Sequence, residues 1–185
     1  MNDKLFAGLV REYFSFLRAK HGMRVENTEI AECVSFRSDV AWMEILYDRY
    51  SLFVEMGTND GLCRASLWDV MQFATGEGKS ASYMAPDEEK LRKGLRRLSD
   101  YVKIYCGKAL SGDAEFYGEV QKCKEAHEKE SAFRNKADHI EELAKAAWKK
   151  QEYSRVISLY GSILEHLSPT QKKRLGICRK RLGDS

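Results

Sequence analysis

Residues 33–56 read CVSFRSDVAWMEILYDRYSLFVEM, and this stretch decides the fold class. Its β-branched and aromatic residues recur with a period near two over 33–36, 40–47 and 50–56, which predicts three antiparallel strands. Arg37-Ser38-Asp39 suits a short hairpin between the first two. Asp48-Arg49 is where the next reversal must fall, although it lacks the glycine that tight turns prefer. In the middle strand Ala41, Met43, Ile45 and Tyr47 share one side, with Val40, Trp42, Glu44, Leu46 and Asp48 on the other. Neither side is purely polar, so part of the second face is expected to be covered.

Ahead of these strands the apolar pairs Leu5/Phe6, Leu9/Val10 and Tyr13/Phe14, with Leu17, follow the helical period over 3–21, and His21-Gly22 supplies a stop. Behind them, the cluster from Gly57 to Gly61 reads as the turn that closes the sheet. Ser66 reads as the N-cap of a short helix from Leu67 to about Thr75. Residues 76–82 form a flexible loop, and Pro86 followed by Asp87, Glu88 and Glu89 starts a long helix with acids at the positive end of its dipole. Leu91, Leu95, Leu98, Val102, Tyr105 and Ala109 give that helix one packing seam, ended by Leu110-Ser111-Gly112-Asp113. A second helix aligns Phe116, Val120, Cys123 and His127 and runs on through a charged stretch to Phe133. Three shorter helices follow over 136–149, 153–167 and 169–182. The expected class is α+β: an N-terminal helix, a small three-stranded antiparallel sheet and a short helix over 1–84. A helical array over 85–185 packs with them as one compact body.

Composition bounds the function. Of 185 residues, 43% are hydrophobic and 32% charged, with two prolines, which places the chain among globular proteins and away from disorder. No run approaches the roughly 18–20 uncharged apolar residues of a membrane span, so a membrane protein is not expected. The N-terminal stretch carries acids and an arginine within its apolar residues and so lacks the look of a signal peptide, which predicts a cytoplasmic protein. Cys33, Cys63, Cys106, Cys123 and Cys178 show no short spacing, which argues for reduced thiols against a metal knuckle or a disulfide framework. The formal charge of +3 is uneven: 1–84 holds 9 basic and 12 acidic residues, and the tail from Ser168 sets Lys172, Lys173, Arg174, Arg179, Lys180 and Arg181 against Asp184 alone.

No catalytic, cofactor-binding or metal-ligating residue is expected. His21, His127, His139 and His166 lie near helix ends or in charged helical stretches, outside any nucleophile-and-base signature. Gly78-Lys79-Ser80 invites comparison with a phosphate-binding loop, but Phe73 stands where that loop needs its first glycine, and a helix, not a buried strand, precedes it. Lys90, Arg92, Lys93, Arg96, Arg97 and Lys103 line the polar side of the long helix. With the basic tail they raise nucleic-acid contact, yet interleaved acids such as Glu88, Glu89 and Asp100 read as a solvated face, so nucleic acid is not the expected partner. Trp68 and Tyr83 are candidate partner anchors, with burial the safer expectation for Trp68.

Leu143-Ala144, Ala147, Tyr153, Val156, Tyr160, Ile163 and Pro169 together resemble one tetratricopeptide repeat with a capping helix. Small residues on its first helix let the second lie close, and proline stops the pair. Val156 and Ile163 stand where that family usually has alanine, and no second copy precedes, so a peptide groove is not expected. The order of elements, with Tyr47-Asp48-Arg49-Tyr50-Ser51 at a turn, Leu110-Ser111-Gly112-Asp113 between helices and residues 146–153 near the end, resembles small bacterial immunity proteins encoded beside secreted or contact-delivered toxins. That resemblance implies a non-enzymatic protein, without cofactor, that binds one cognate toxin in the cytosol by stoichiometric occlusion. It is the kind of partner that operates in contact-dependent growth inhibition. No partner-binding residue carries over from it. The alternative is a helical adaptor or nucleic-acid-associated regulator using the basic C-terminal face.

Overall fold

The computed structural model describes residues 3–26, 30, 32–76 and 83–183. It is α+β, and its antiparallel sheet is larger than the three strands that periodicity predicts. The strands are β1 (Arg24–Glu26), β2 (Cys33–Arg37), β3 (Ala41–Asp48), β4 (Ser51–Thr58), β5 (Arg64–Ser66) and β6 (Tyr83–Met84). They run in the order β1-β2-β3-β4-β5, with β6 also paired to β4. The meander β2-β3-β4 is the predicted one. The three added strands are three, three and two residues long, too short to display a period, and only pairing defines them. Gly57 and Thr58, expected in a turn, are the last residues of β4.

The β3–β4 ladder runs from Ala41↔Thr58 to Asp48↔Ser51 and leaves Arg49 and Tyr50 as a two-residue loop. Both have positive φ, 45° and 69°, the geometry that hairpins of this length demand and that asparagine and glycine usually supply. The Ala85 amide donates to the Tyr50 carbonyl at 2.6 Å and ties the strained turn to the residue after β6.

Alternation on β3 buries Ala41, Met43 and Ile45, which meet Leu52, Val54 and Met56 of β4 in the main core. The helical side of that core comes first from α1 (Asp3–Tyr13) and α2 (Ser15–His21). The single helix expected over 3–21 breaks at Phe14, where the Leu17 amide bonds to the Phe14 carbonyl in place of that of Tyr13. The Ser99 hydroxyl satisfies the Tyr13 carbonyl at 2.8 Å, and both Phe14 and Leu17 remain fully buried. Next comes α3 (Leu67–Thr75), begun as expected by Ser66, whose hydroxyl accepts from the Asp69 amide while the Asp69 carboxylate accepts from the Ser66 amide. In α4 (Glu88–Tyr105), capped by Asp87, the seam Leu91, Leu95, Leu98 and Val102 is buried in the same core. A Cβ at Gly94 would lie 2.6 Å from the Tyr83 ring and 2.7 Å from Leu52, so the glycine permits the helix–sheet approach.

One unit spans Met1–Glu125 and a second Ala126–Ser185, and the α4 seam belongs to the core of the first. After α5 (Gly107–Leu110) comes α6 (Ala114–Lys149), one helix of 36 residues where two are expected. No glycine or proline occurs over 119–149, so nothing in the backbone ends it. The helix expected over 153–167 is α7 (Tyr153–Gly161) followed by a 3₁₀ turn at Leu164–His166. The last, α8 (Pro169–Leu182), has the expected bounds and a capping box of Ser168 and Gln171.

The second unit has its own core, in which Ile140, Ala144, Ala147, Val156, Tyr160, Ile163, Leu175 and Cys178 are buried. A polar cluster joins its three helices. The Glu141 carboxylate accepts from Tyr160 Oη at 2.8 Å, Gln171 Nε2 at 2.9 Å and Arg174 Nη1 at 3.1 Å, and pairs with Lys145 at 3.3 Å. Arg174 Nη1 also donates to Tyr160 Oη at 2.6 Å. Partial burial pushes the Glu141 carboxyl up, but the bonds from Gln171, Tyr160, Arg174 and Lys145 outweigh it and hold the group below its ordinary range. Burial first, and then the bond to Glu141, push the Tyr160 phenol up to about 12.

Two outcomes follow from these strains and bonds. The double substitution Arg49→Asn, Tyr50→Gly should stabilise the protein by about 1 kcal/mol, read as a higher urea midpoint; an unmoved or lower midpoint would show that the turn is unstrained. Because the Glu141 pKa is lower folded than unfolded, its contribution is complete above the unfolded value and is lost as pH falls through the folded one. Glu141→Gln should therefore cost about 2 kcal/mol at neutral pH and shrink the loss of helical stability as the pH falls below the ordinary glutamate range. An acid-side loss as steep as that of the wild type in circular dichroism would contradict this role.

Candidate functional site: the outer face of the sheet

Residues directly opposite in an antiparallel pair share a face, so the register lays out the outer side of the sheet in rows. One row runs Arg24, Arg37, Trp42, Gly57, Arg64, and the next Glu26, Ser35, Glu44, Glu55, Ser66. Cys33, Leu46 and Phe53 form a third, and Asp48, Ser51 and Met84 a fourth. Trp42, Leu46 and Phe53 belong to neither hydrophobic core, and Phe53 and Met84 are 42% and 63% exposed.

Trp42 is held in place. A Cβ at Gly57 would lie 2.8 and 2.9 Å from the Trp42 ring carbons Cζ2 and Cε2 and would also strike the Cys63 carbonyl, so the indole rests on bare backbone. Its Nε1 donates to the Thr58 carbonyl at 3.2 Å. The Arg64 guanidinium stands 5.7 Å from the ring centroid, and its Nε donates to Glu55 at 2.7 Å. The result is a fixed, partly exposed aromatic surface with a cation over it.

Twice this face sets like charges opposite each other, Arg24↔Arg37 and Glu44↔Glu55, an arrangement that destabilises a sheet. Glu26 pairs with Arg37 at 3.5 Å, and Arg64 relieves Glu55. Among the described residues the side chains of Arg24 and Glu44 have no ion-pair partner. Arg24, Glu26 and Arg37 also line an open cleft of about 370 Å³ with His21, Gly22, Ser38 and Asp39. Partial burial, and then Lys20, hold His21 below its ordinary pKa, so the cleft meets a neutral imidazole at pH 7.

The residues singled out in the sequence lie elsewhere. Trp68 and Tyr83 are half-buried against the main core. His127 and His139 sit on α6, and His166 lies against Phe133 with ring centroids 4.2 Å apart and the rings tilted by 51°. Cys33, Cys106 and Cys178 are buried, and burial raises the Cys106 thiol far above the ordinary thiol range. No group of metal-ligating side chains converges among the described residues. Gly78, Lys79 and Ser80 lie outside the described residues. On α4, Lys90, Arg92, Lys93 and Lys103 pair with Asp87, Glu88, Glu89 and Asp100, as a solvated helix face does. The sequence signal for the outer face was the presence of Trp42 and Leu46 on the more polar side of β3. Their neighbours across the sheet needed the register.

Gly57→Ala should displace the Trp42 ring, cost about 2 kcal/mol and shift tryptophan emission; an unchanged spectrum and stability would show that the seat is not tight. The chain matches no protein-family model, no curated protein and no solved structure, so chemistry and geometry alone carry the functional reading.

Proposed function

We propose that this protein is a non-catalytic binding protein that captures a folded protein partner on the outer face of its sheet, and that the partner is a cognate bacterial toxin neutralised in the cytosol by stoichiometric occlusion. The supporting observation is Trp42, fixed on Gly57 beneath Arg64 within a face that also presents Leu46, Phe53 and Met84. Protein interfaces concentrate binding energy in tryptophan, tyrosine and arginine, are enriched in methionine and depleted in lysine. Among the described residues of the four rows there is no lysine. The two like-charge pairs support the same reading: a partner offering a cation to Glu44 and an anion to Arg24 would relieve a repulsion that the fold retains. A partner side chain entering the cleft beside Arg37 would add orientation.

In this reading the second unit is a scaffold: a tetratricopeptide-like hairpin of α6 and α7 capped by α8. Full burial of Ala144 and Tyr160 supports the close helix approach that the repeat requires. The reading calls for no membrane, and no helix among the described residues is long and apolar enough to cross one.

The test is co-expression with the product of the adjacent gene. A tight one-to-one complex and relief of toxicity are expected, and Trp42→Ala should weaken the complex by about 30-fold or more, the loss of about 2 kcal/mol typical of an interface anchor. The paired α4 variant Arg92→Ala should leave it unchanged. A harmless neighbour that never binds, or full binding by a folded Trp42→Ala protein, would sink the proposal.

A further inference from the structure

We propose that the outward face of α8 binds the phosphate backbone of nucleic acid. The sequence presents six basic residues in this helix as one cluster, and the structure sorts them into two sets. Arg174 turns inward to Glu141 and Tyr160, and Arg181 donates to Tyr153 Oη with its guanidinium 5.0 Å from that ring. Lys172, Lys173, Arg179 and Lys180 are exposed, and among the described residues none of their side chains has an ion-pair or hydrogen-bond partner. At helical spacing these four fall within about one third of the circumference, as two pairs about 10 Å apart along the axis. Gly176 stands between the pairs, and a Cβ there would meet nothing within 4 Å, so an incoming strand finds no obstruction.

Within the helix itself the charge is of one sign, and the unit around it is net basic. Helix α8 contains no acid. The acids that the sequence sets against these cations include Glu130, which pairs with Arg134, and Glu141, which pairs with Arg174 and Lys145. The unit Ala126–Ser185 holds 13 basic and 8 acidic residues, whereas Met1–Glu125 holds 18 and 20. Arg179 and Lys180 complement the negative end of the helix dipole and need no ligand to explain them. Lys172 and Lys173 stand just behind the positive end, where a cation is disfavoured, and no internal contact compensates.

The chemistry favours phosphate over the other anionic partners. Three of the four cations are lysines, which protein interfaces deplete, and no aromatic anchor lies among them. A membrane-surface helix needs a broad apolar stripe outward, but between these cations the face holds Gly176, Leu175 and Cys178 are buried inward, and the exposed Ile177 and Leu182 flank the cations without forming a stripe. A regular phosphate chain needs only spaced cations and close approach.

Fluorescence anisotropy of the full chain with a labelled mixed-sequence duplex of about 20 base pairs tests this. Four neutralised phosphates predict an affinity loss of about 150-fold between about 50 and 200 mM salt. Replacing Lys172, Lys173, Arg179 and Lys180 together by alanine should abolish binding with unchanged circular dichroism, whereas Lys93→Ala with Lys103→Ala on α4 should not alter it. If the fourfold variant does not fold, Lys172→Glu and Lys180→Glu singly should each weaken binding about 10-fold and flatten the salt dependence. No binding at the lower salt would overturn the proposal. So would binding undiminished in these variants, or tighter α8-dependent binding to phosphatidylserine vesicles or polyglutamate than to the duplex.

Discussion

The pairing of β3 with β4 is the constraint on which the rest of the first unit depends. Eight consecutive pairs lock the two strands, and a slip of one residue would exchange the core side of β4 for its outer side. With the register set, Ala41, Met43 and Ile45 face the seam of α4 and the buried residues of α1. The same register puts Trp42 over Gly57 and Glu44 opposite Glu55. Core and candidate site are thus two sides of one ladder, which is why a strained loop at Arg49 and Tyr50 is tolerated: changing its length would shift both sides together.

The second unit is organised by a different interaction. Three helices converge on one partly buried carboxylate, Glu141, whose oxygens are bonded by residues from all three. A charge in that position is tolerable because its neighbours satisfy it, and removing it would leave the Tyr160 hydroxyl bonded only to Arg174. The cluster also draws Arg174 inward and so divides the basic residues of α8 into structural and outward sets. The two units therefore present contrasting faces, one on the sheet that is mixed in charge with aromatic and methionine side chains, the other on α8, a helix that holds no acid.

Much of the scaffold was legible in the residues because it rests on local signals. The meander, the Ser66 cap and its helix, and the limits of α8 follow from period, capping chemistry and proline, each acting within a few residues. The break at Phe14 was not legible, because a distant hydroxyl, Ser99, makes it affordable. Nor was the continuity of α6: a charged, weakly patterned stretch resembles a helix end, yet nothing in its backbone stops it. The strands β1, β5 and β6 exist because β2 and β4 offer them edges.

By itself the sequence determined the α+β class, the strand order of the meander and the lack of any recognised catalytic signature, since each depends on residue type at short spacing. Only the tertiary structure decided which side chains the sheet leaves on its outer face. Trp42 becomes a candidate anchor, and Trp68 part of the core's margin, through contacts with residues 15 or more positions away: Thr58 in one case, the helix and sheet core in the other. The basic tail likewise divides into inward and outward sets only when Glu141 and Tyr153 are brought against it. A side chain's chemistry is written at its own position, but its availability is set by what the fold places opposite it.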